Sequence, residues 1–271
     1  DVKKAIFWMK DSTSMMGVPT FYTRLLASDE LNTGTTRHIR LFISGSAPLL
    51  SETHIEFERR TGKKILERYG MTETNMNTSN PYDGERKAGT VGIPLPGVEI
   101  RLVNEEGHEV EDDKIGTIEL RGENVFKGYW GMKEKTEEAF KKDGFFITGD
   151  LGQWDEDGYL IIIGRDKDMI ISGGLNVYPK EIEDVINEMP NILESAVVGI
   201  HHHDYGEAVV AAVVSNDKTL AEIKVLDFLK DKIAKYKQPK KIVFLEKLPR
   251  NTMGKVQKKV LRENFLDLFK N

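Results

Sequence analysis

Apolar and polar positions in residues 1–96 follow a pattern that predicts strands and a helix. Residues 37–44 (RHIRLFIS) have the pattern of a short buried strand. Ser51 to Arg60 has the pattern of a helix, with Ser51 as its N-cap and Gly62 just beyond its end. A second strand, KKILERYG, follows, and a polar stretch rich in glycine and proline then predicts an irregular, functional loop up to Pro96. This order of elements indicates an α/β region.

Residues 97–163 have a different pattern, in which short strands alternate with turns. Three short segments (VEIRLV, GTIELRG and YLIIIG) predict strands, and the segment Lys133–Lys142 predicts one helix among them. The tetrapeptide DEDG before the last run is typical of a turn. We therefore predict a small β-rich subdomain here.

Residues 164–174 (GRDKDMIISGG) combine charged residues with two final glycines, and the pattern changes again after them. Pro179 is well placed in the first turn of a helix, and the apolar residues that follow it recur on one helix face. Two apolar runs (ESAVVGI and AVVAAVVS), a further amphipathic segment and a last run (KKIVFL) complete an α+β pattern.

These patterns predict a chain of mixed α/β and α+β class with two domains. The first domain spans residues 1–166 and divides into an α/β part (1–96) and a β-rich part (97–166). The second is an α+β domain that spans residues 167–271. Each domain is long enough to bury a core of its own.

Composition and charge exclude several classes of protein. The net charge of −5 gives no general attraction to nucleic acid, although cations outnumber anions from Lys230 to Arg262. No apolar run approaches the ~20 residues that span a bilayer. The absence of cysteine excludes disulfides and thiolate metal sites and suits a reducing compartment, so we expect a cytoplasmic protein. The chain opens on Asp1 with no signal-peptide pattern, so we expect a piece of a longer protein.

The segment ERYGMTETNMN directly follows the second predicted strand. It puts a glycine, a hydroxyl and a carboxylate on one tight loop at the carboxyl edge of a sheet, where α/β folds bind nucleotides. In this position Thr72 would donate a hydrogen bond to a phosphate and Glu73 would hold Mg²⁺. The same residues also fit the start of a helix, with the Thr-Glu pair in its first turn. The segment alone leaves both interpretations open.

Four further segments have an informative order and spacing: GTIELRGENVFKGYW, FFITGDL, GRDKDMIISGGLNVYPKEIE and LPRNTMGKVQKK. Together they resemble the adenylate-forming superfamily of acyl-CoA synthetases, and the resemblance extends over essentially the whole chain. The segments GVPTFYTRLL, LFISGSAPL, ERYGMTETNMNTSNPYDGER and PRNTMGKVQK are similar to the malonyl-CoA synthetase branch. The resemblance implies the C-terminal part of a large adenylation domain, followed by a small mobile domain.

The resemblance implies a nucleotide site for ATP. Asp150 in FFITGDL would accept hydrogen bonds from both ribose hydroxyls, and Arg165 in GRDKD would also reach the ribose. Tyr69 would stack on the adenine. The other nucleotide contacts that the family implies fall on Gly45, Ser46, Ala47, Gly70 and Thr72. The alternatives are a simple turn residue at Asp150, a surface charge at Arg165 and ordinary loop packing at Gly45, Ser46 and Ala47.

The resemblance also implies two half-reactions that share the second domain. Lys255 in NTMGKV would be catalytic with Thr72 and Glu73, because a positioned cation stabilises the charge that develops when a carboxylate attacks the α-phosphate. The domain would then rotate about a hinge at Lys167 and bring a loop of small residues against the pantetheine arm of CoA. That loop consists of Ser172, Gly173 and Gly174. The alternative for Lys255 is that it is one more charge in a basic tail. The alternative for residues 172–174 is a simple glycine turn.

Two arginines indicate which acid is activated. Arg24 follows GVPTFYT and Arg68 precedes YGMTE. A guanidinium binds a second carboxylate of the substrate in a bidentate manner, whereas an apolar tail gains nothing from it. In the malonyl-CoA synthetase branch these arginines and a serine matching Ser46 hold the distal carboxylate, and Met71 shapes the space beside the α-carbon. We predict malonate or methylmalonate as the substrate. The alternative is that either arginine forms an ordinary surface ion pair.

The family holds the β- and γ-phosphates of ATP with a Ser/Thr/Gly-rich loop that carries a lysine, and this chain has no such loop. We therefore expect a missing N-terminal half of the same enzyme as its partner, and little or no activity from this piece alone. Other functions stay open. They are a fatty-acid or other carboxylic-acid CoA ligase, a carrier-loading or luciferase-like enzyme on the same fold, and a non-catalytic module that binds CoA, an acyl carrier or a protein.

Overall fold

The computed structural model describes residues 2–252 and 254–269 of the chain. The chain divides after Ile162 into two compact units. Among the described residues, no helix has the length and apolar character needed to cross a membrane.

The first unit begins with a region in which helices accompany a mixed sheet. In chain order its elements are α1 (Val2–Met9), β1 (Ser14–Gly17), α2 (Pro19–Leu26), α3 (Thr33–Thr36), β2 (Leu41–Ser44), α4 (Ser51–Thr61), β3 (Ile65–Met71), β4 (Asn75–Ser79) and β5 (Ile93–Pro94). The strands lie in the order β1-β2-β3-β4-β5. The first three are parallel, whereas β4 and β5 run antiparallel to their neighbours. The carboxyl ends of β1, β2 and β3 therefore lie along one edge of the sheet.

Aromatic side chains fix α2 and α4 against β2. The rings of Tyr22 and Phe42 both contact the ring of Phe57 edge to face, at centroid distances of 5.3 and 4.9 Å. All three side chains are buried, and the Tyr22 hydroxyl donates a hydrogen bond of 2.6 Å to the carbonyl of Ile43. This packing makes the sheet a rigid support for the loops at its carboxyl edge.

The β-rich part that follows is built on a second sheet. Its elements are β6 (Glu99–Val103), β7 (Gly116–Arg121), α5 (Lys133–Ala139), β8 (Phe146–Trp154) and β9 (Leu160–Arg165). The strands lie in the order β6-β7-β8-β9, and β7 is antiparallel to both β6 and β8. Leu102, Ile118 and Leu160 form the centre of its apolar core.

The second unit is an α+β structure. After β9 its elements are β10 (Ile170–Ser172), β11 (Leu175–Val177), α6 (Pro179–Asn187), β12 (Ile192–His202), β13 (Gly206–Ser215), α7 (Glu222–Leu229), β14 (Lys241–Phe244) and α8 (Lys258–Asn264). The strands β11-β10-β13-β12 are neighbours in that order, and β14 pairs with β13 in parallel.

Both faces of the β12–β13 hairpin are buried. Val197 and Val209 pack in a cluster with residues of α6 and α7, while Val198 and Val210 pack in a second cluster with residues of α8. Successive strand residues point to opposite faces, so a strand covered on both sides is apolar throughout. This explains the uninterrupted run AVVAAVVS in β13.

The predicted combination of α/β and α+β structure is confirmed, but several details differ. Ser51 is not the N-cap of α4, because Leu50 precedes the helix in an extended conformation and Ser51 is the first helical residue. The predicted end is correct, since Gly62 lies beyond the helix with a left-handed φ of 67°. The helix predicted over 133–142 ends at Ala139.

The prediction of an irregular loop up to Pro96 is wrong for β4 and β5. The strand β4 is polar in sequence, yet its residues Asn77 and Thr78 are fully buried. The Thr78 hydroxyl donates a hydrogen bond of 2.7 Å to the carbonyl of Val91. Polar side chains that find partners inside the protein leave no apolar pattern in the sequence, so the strand could not be recognised from it.

Candidate functional site

Two of the predicted site segments meet at the carboxyl edge of the first sheet. Strand β2 leads directly into Gly45, Ser46 and Ala47, which follow the parallel pair Ser44–Glu67. Ser46 and Ala47 are exposed, and Ser46 has a left-handed φ of 70°. A Cβ atom added to Gly45 would lie 3.5 Å from Cγ of Arg68. The loop after β2 therefore lies beside the end of β3.

Arg68 has an unusual set of neighbours for a guanidinium. Its two terminal nitrogens donate to thioether sulfurs, one to Sδ of Met16 at 2.8 Å and one to Sδ of Met76 at 2.9 Å. Its Nε is buried without a hydrogen-bond partner. Thioether sulfur is a weak, uncharged acceptor. Within residues 2–252 and 254–269, no carboxylate neutralises this cation, which leaves it available to an anionic ligand.

Arg24 occupies a different environment from Arg68. It lies in the last turn of α2 and is exposed. In the described part of the chain, no hydrogen bond or ion pair joins it to Ser46 or to Arg68. Met71, at the end of β3, is half-buried and packs against an apolar cluster that contains Leu120 and Phe146.

Gly70 has a structural function at the β3–β4 turn. The register of the two strands shifts between Tyr69 and Gly70, and this brings the backbone of β4 very close. A Cβ atom on Gly70 would lie only 2.0 Å from the carbonyl oxygen of Asn75. Only glycine fits here, so the glycine of YGMTE is explained by packing, and its contact with a nucleotide stays a prediction.

Tyr69 and Asp150 form a direct hydrogen bond. The Tyr69 hydroxyl lies 2.6 Å from Oδ2 of Asp150, whose side chain is 5% exposed. Asp150 lies in a bulge of β8, because residues 148–150 all stand opposite Ile118 of β7. The Thr148 hydroxyl donates to the carbonyl of Ile118 and accepts from the backbone amide of Asp150. The bulge thus orients the carboxylate.

Glu73 lies in the turn between β3 and β4, so the alternative of a helix start at Thr72 and Glu73 is excluded. Its carboxylate is half-buried and accepts a hydrogen bond of 3.3 Å from the Tyr129 hydroxyl. Burial and the negative charge of Glu73 both raise the pKa of Tyr129, so the phenol stays a donor. The amide of Phe126 donates to the Glu73 carbonyl at 2.7 Å.

Asn124 is hydrogen-bonded to the backbone that follows the same turn. Its side-chain amide donates to the carbonyl oxygens of Thr74 and Met76 at 2.7 and 3.2 Å. Neither Asn124 nor Tyr129 was singled out from the sequence, although both lie in the quoted segment GTIELRGENVFKGYW. They come from a separate loop, so only the folded chain shows that they position Glu73.

In the second unit, Arg165 ends β9 and is exposed. Lys167 is also exposed and lies in a single 3₁₀ turn, Asp166–Asp168. Asp168 forms an ion pair of 2.7 Å with Arg262, which ties this turn to α8. The assignment of Lys167 as a hinge stays a prediction.

Gly173 and Gly174 form a two-residue hairpin turn between β10 and β11. Ser172 pairs with Leu175 across the turn, and the two glycines have φ values of 59° and 79°. A turn with two consecutive positive φ values is the type that suits twisted strands, and it strongly favours glycine. Ser172 is buried. The structure therefore contains the glycine turn that was the alternative for this loop, and its contact with CoA is untested.

Lys255 extends from a loop whose backbone is well held. Its amide donates to Oδ1 of Asn251 at 2.9 Å, and the Asn251 amide donates to the Lys255 carbonyl at 3.0 Å. Arg250 donates to the Gly254 carbonyl and pairs with Glu194. The Lys255 side chain is exposed and has no ion pair in the described part of the chain. Met253 of the same motif lies outside the described residues.

Two family models match the chain. The model for AMP-binding enzymes matches residues 4–130, and the model for the C-terminal domain of AMP-binding enzymes matches residues 181–255. Together the two matches cover about three quarters of the sequence, and they include the sheet edge of the first unit and the loop that carries Lys255.

Individual relatives agree with the family models. The chain is 40% identical to a malonate–CoA ligase of Arabidopsis thaliana and 38% identical to a long-chain-fatty-acid–CoA ligase of Yersinia pestis, in each case over 93% of the chain. It is 58% identical to the ATP-bound MatB protein of Rhodopseudomonas palustris, whose crystal structure matches the whole chain with a TM-score of 0.97. The chain spans 44%, 45% and 54% of these three proteins.

Proposed function

The chain belongs to the AMP-binding enzyme family, and from this premise we propose that it forms the C-terminal half of an AMP-forming acid–CoA ligase that activates malonate or methylmalonate. In the first step a substrate carboxylate attacks the α-phosphate of ATP, which gives an acyl-adenylate and pyrophosphate. In the second step the thiol of CoA attacks the acyl carbon, which gives the thioester and AMP.

Arg68 is the observation that carries the choice of acid. In the part of the chain that the structure describes, its guanidinium donates hydrogen bonds to two thioethers, and its Nε has no hydrogen-bond partner. A charged group in this state gains much more from a carboxylate than from methylene groups. The exposed loop at Ser46 lies beside it and supplies a hydroxyl for the same carboxylate. A long-chain fatty acid would leave the guanidinium unpaired.

A second group of residues suits the nucleotide. We assign the adenine to the ring of Tyr69 and the ribose hydroxyls to Asp150, with Arg165 as a second ribose contact. Asp150 supports this assignment because it is buried, ionisable and oriented by Tyr69 and Thr148. A carboxylate accepts hydrogen bonds from both ribose hydroxyls. The loop Gly45 to Ala47 lies beside β3, with Ser46 and Ala47 exposed, and we assign it to the nucleotide as well.

Glu73 fits a magnesium ion that accompanies ATP. When bound, Mg²⁺ neutralises charge on the phosphate oxygens and helps to align them. Glu73 offers a carboxylate whose orientation is set by Tyr129, and the exposed Thr72 next to it offers a hydroxyl to a phosphate oxygen. Both residues therefore act on the phosphates and not on the acid.

Lys255 would stabilise the charge that develops in the first step. Its ammonium is exposed and uncompensated in the described residues, while the hydrogen bonds of Asn251 fix its backbone. We assign the second step to a rearrangement about Lys167 that withdraws Lys255, with residues 172–174 at the pantetheine arm of CoA. We propose 1–166 and 167–271 as the two parts that this rearrangement separates.

Pyrophosphate exchange with a panel of acids tests this proposal. The chain is fused to the N-terminal half of the Rhodopseudomonas palustris MatB protein, and exchange is measured with malonate, methylmalonate, acetate and octanoate. We expect the two dicarboxylates to support the fastest exchange. Octanoate as the best substrate would reject the assignment of Arg68. An amino or aryl acid as the best substrate in an extended panel would instead indicate a carrier-loading enzyme.

A further inference from the structure

The turn between β12 and β13 brings together three consecutive side chains that can bind a metal. His202, His203 and Asp204 each offer one ligand atom, and these atoms lie within 4.8 Å of one another. None of the three has a role in the proposed reaction. We propose that this cluster, the 202–204 site, binds a Zn²⁺ ion and thereby holds the neighbouring glycine hairpin in place.

The backbone at the site is rigid. His202 is the last residue of β12 and pairs with Gly206, the first residue of β13, so the ligands lie on the tight end of a long hairpin. Gly206 has a left-handed φ of 73°, which the chain needs to close this turn. Because both faces of the hairpin are packed in apolar clusters, the ligand-bearing turn is firmly supported.

The imidazole of His202 is held by aromatic neighbours. Its ring lies 4.8 Å from the ring of Tyr205, 5.1 Å from that of Phe269 and 4.7 Å from that of His203. Its Nδ1 accepts a hydrogen bond of 3.2 Å from the amide of Asp204. The lone pair of Nδ1 is therefore already directed at the Asp204 residue. A ligand whose ring is fixed in this way loses little side-chain entropy on binding.

The other two ligand atoms lie close to each other. Nε2 of His203 lies 3.2 Å from Oδ1 of Asp204, and both side chains are about two-thirds exposed. Ligand atoms of a tetrahedral zinc site lie about 3.4 Å apart, given zinc–ligand distances of about 2.1 Å. Small rotations of the exposed His203 and Asp204 are enough to reach this geometry. At Nδ1 of His202, the ion would take the place of the hydrogen bond from the Asp204 amide. Between His203 and Asp204, it would displace any proton that the two side chains share.

The donor set selects the metal. Two imidazole nitrogens and one carboxylate, with a water as fourth ligand, form a common zinc arrangement, whereas Mg²⁺ prefers a shell of oxygen ligands. The site therefore differs in chemistry from the Glu73 position, which offers oxygen alone. The Nζ of Lys240 lies over the ring of Tyr205, 4.7 Å from its centroid.

A metal at this turn would act on the hairpin of Gly173 and Gly174. The carbonyl of Tyr205, next to the ligands, accepts a hydrogen bond of 2.8 Å from the amide of Gly173. The Tyr205 ring also lies 3.9 Å from the position of a Cβ atom on Gly173. Fixing residues 202–205 with an ion therefore strengthens the hydrogen bond that anchors the glycine turn.

Calorimetric titration of the untagged 271-residue chain with ZnCl₂, in the absence of nucleotide, tests the site. We expect one ion per chain. His203→Ala and Asp204→Asn change exposed side chains, and each should weaken binding at least about tenfold. The matched control is His201→Ala, because His201 precedes the cluster on the opposite face of β12 and should leave the affinity unchanged.

Two results would overturn the proposal. The first is the absence of zinc binding by the unaltered chain, and the second is equal affinity in His203→Ala and the unaltered chain. Proton NMR gives an independent readout, since zinc should shift the ring signals of His202 and His203 and leave those of His38 and His108 in place. Amide exchange at Gly173 should slow when zinc is bound, and an unchanged rate would contradict the coupling to the hairpin.

Discussion

At the scale of single residues, Tyr69 combines two functions in one side chain. In the proposed site its ring faces the adenine, while its hydroxyl donates to Asp150 at 2.6 Å. A hydrogen bond to a carboxylate contributes about 1.5–3 kcal/mol, and here it fixes the acceptor that the ribose needs. In the proposed site, Tyr69 is therefore a positioning residue for the ribose contact as well as a stacking surface.

The substitution Tyr69→Phe separates these two functions. The ring remains, but Asp150 loses a donor that orients it, so KM for ATP should rise about tenfold with little change in kcat. The measurement is pyrophosphate exchange at varied ATP concentration in the fusion described above. With 3′-deoxy-ATP, which lacks one of the ribose hydroxyls, the substitution should have a smaller effect.

The matched control for Tyr69→Phe is Tyr82→Phe, because Tyr82 is an exposed tyrosine whose ring contacts Arg40. That variant should keep the original KM. An equal KM in Tyr69→Phe and the unaltered fusion would show that the hydroxyl does not position Asp150.

The sequence could identify Tyr69 and Asp150 separately but could not show that they touch. Each lies in a recognisable motif, whereas the hydrogen bond between them joins positions that are 81 residues apart. The same holds for Arg68, whose two methionine neighbours come from β1 and β4. A motif fixes which side chains are present, and the folded chain decides what lies beside them.

At the scale of elements, α4 contains a histidine whose side chain is buried. His54 is 2% exposed, and neither ring nitrogen has a hydrogen-bond partner in the part of the chain that the structure describes. Burial, together with the positive charges of Lys64 and Arg86, lowers the pKa of His54 to about 4. The folded protein therefore holds this ring neutral at pH values where the unfolded chain would protonate it.

This histidine should make the first unit less stable in acid. The unfolded chain binds the proton near pH 6.5 and the folded chain only near pH 4, so stability falls as the pH drops through this range. The total loss is about 3 kcal/mol. Urea unfolding at pH 7 and at pH 4.5 measures most of this loss. His54→Leu should remove this part of the pH dependence.

The control is His108→Leu, which alters an exposed histidine of the same unit and should keep the original pH dependence. If His54→Leu lost stability with falling pH as steeply as the unaltered chain, the neutral buried state of His54 would be disproved.

Elements with a strong apolar period were predictable, and polar or glycine-rich ones were not. The face of α6 that buries Ile182 and Ile186 is evident from residue spacing alone. By contrast β4 is polar except for Met76, and the strands around Gly173 and Gly174 are only three residues long. Short strands depend on pairing with distant neighbours, so local sequence carries little information about them.

At the scale of the whole molecule, the chain supplies only part of the proposed active site. It holds candidates for adenine, ribose, Mg²⁺ and the substrate carboxylate, and a loop that presents Lys255. It spans about half of the relatives it matches, and it contains no Ser/Thr/Gly-rich loop with a lysine for the outer phosphates. The proposed reaction therefore needs a second half.

We expect the isolated chain to show no measurable formation of malonyl-CoA from malonate, ATP and CoA, because the β- and γ-phosphates lack their ligands. Fusion to the N-terminal half of the Rhodopseudomonas palustris MatB protein should restore it. Thioester formation measured side by side on the two proteins checks this, with Lys255→Ala in the fusion as the control that removes the first step. Turnover by the isolated chain at the rate of the fusion would contradict it.

The most direct test of the central claim, that Arg68 selects a dicarboxylate, is the ratio of kcat/KM for malonate to kcat/KM for monomethyl malonate, measured in the fusion before and after Arg68→Gln. The ester lacks the distal charge. Loss of a buried charge pair costs about 3 kcal/mol, so the ratio should fall about a hundredfold. The control is Arg59→Gln, which alters an exposed arginine paired with Glu56 and should leave the ratio unchanged. A ratio that is the same with and without Arg68 would contradict the account.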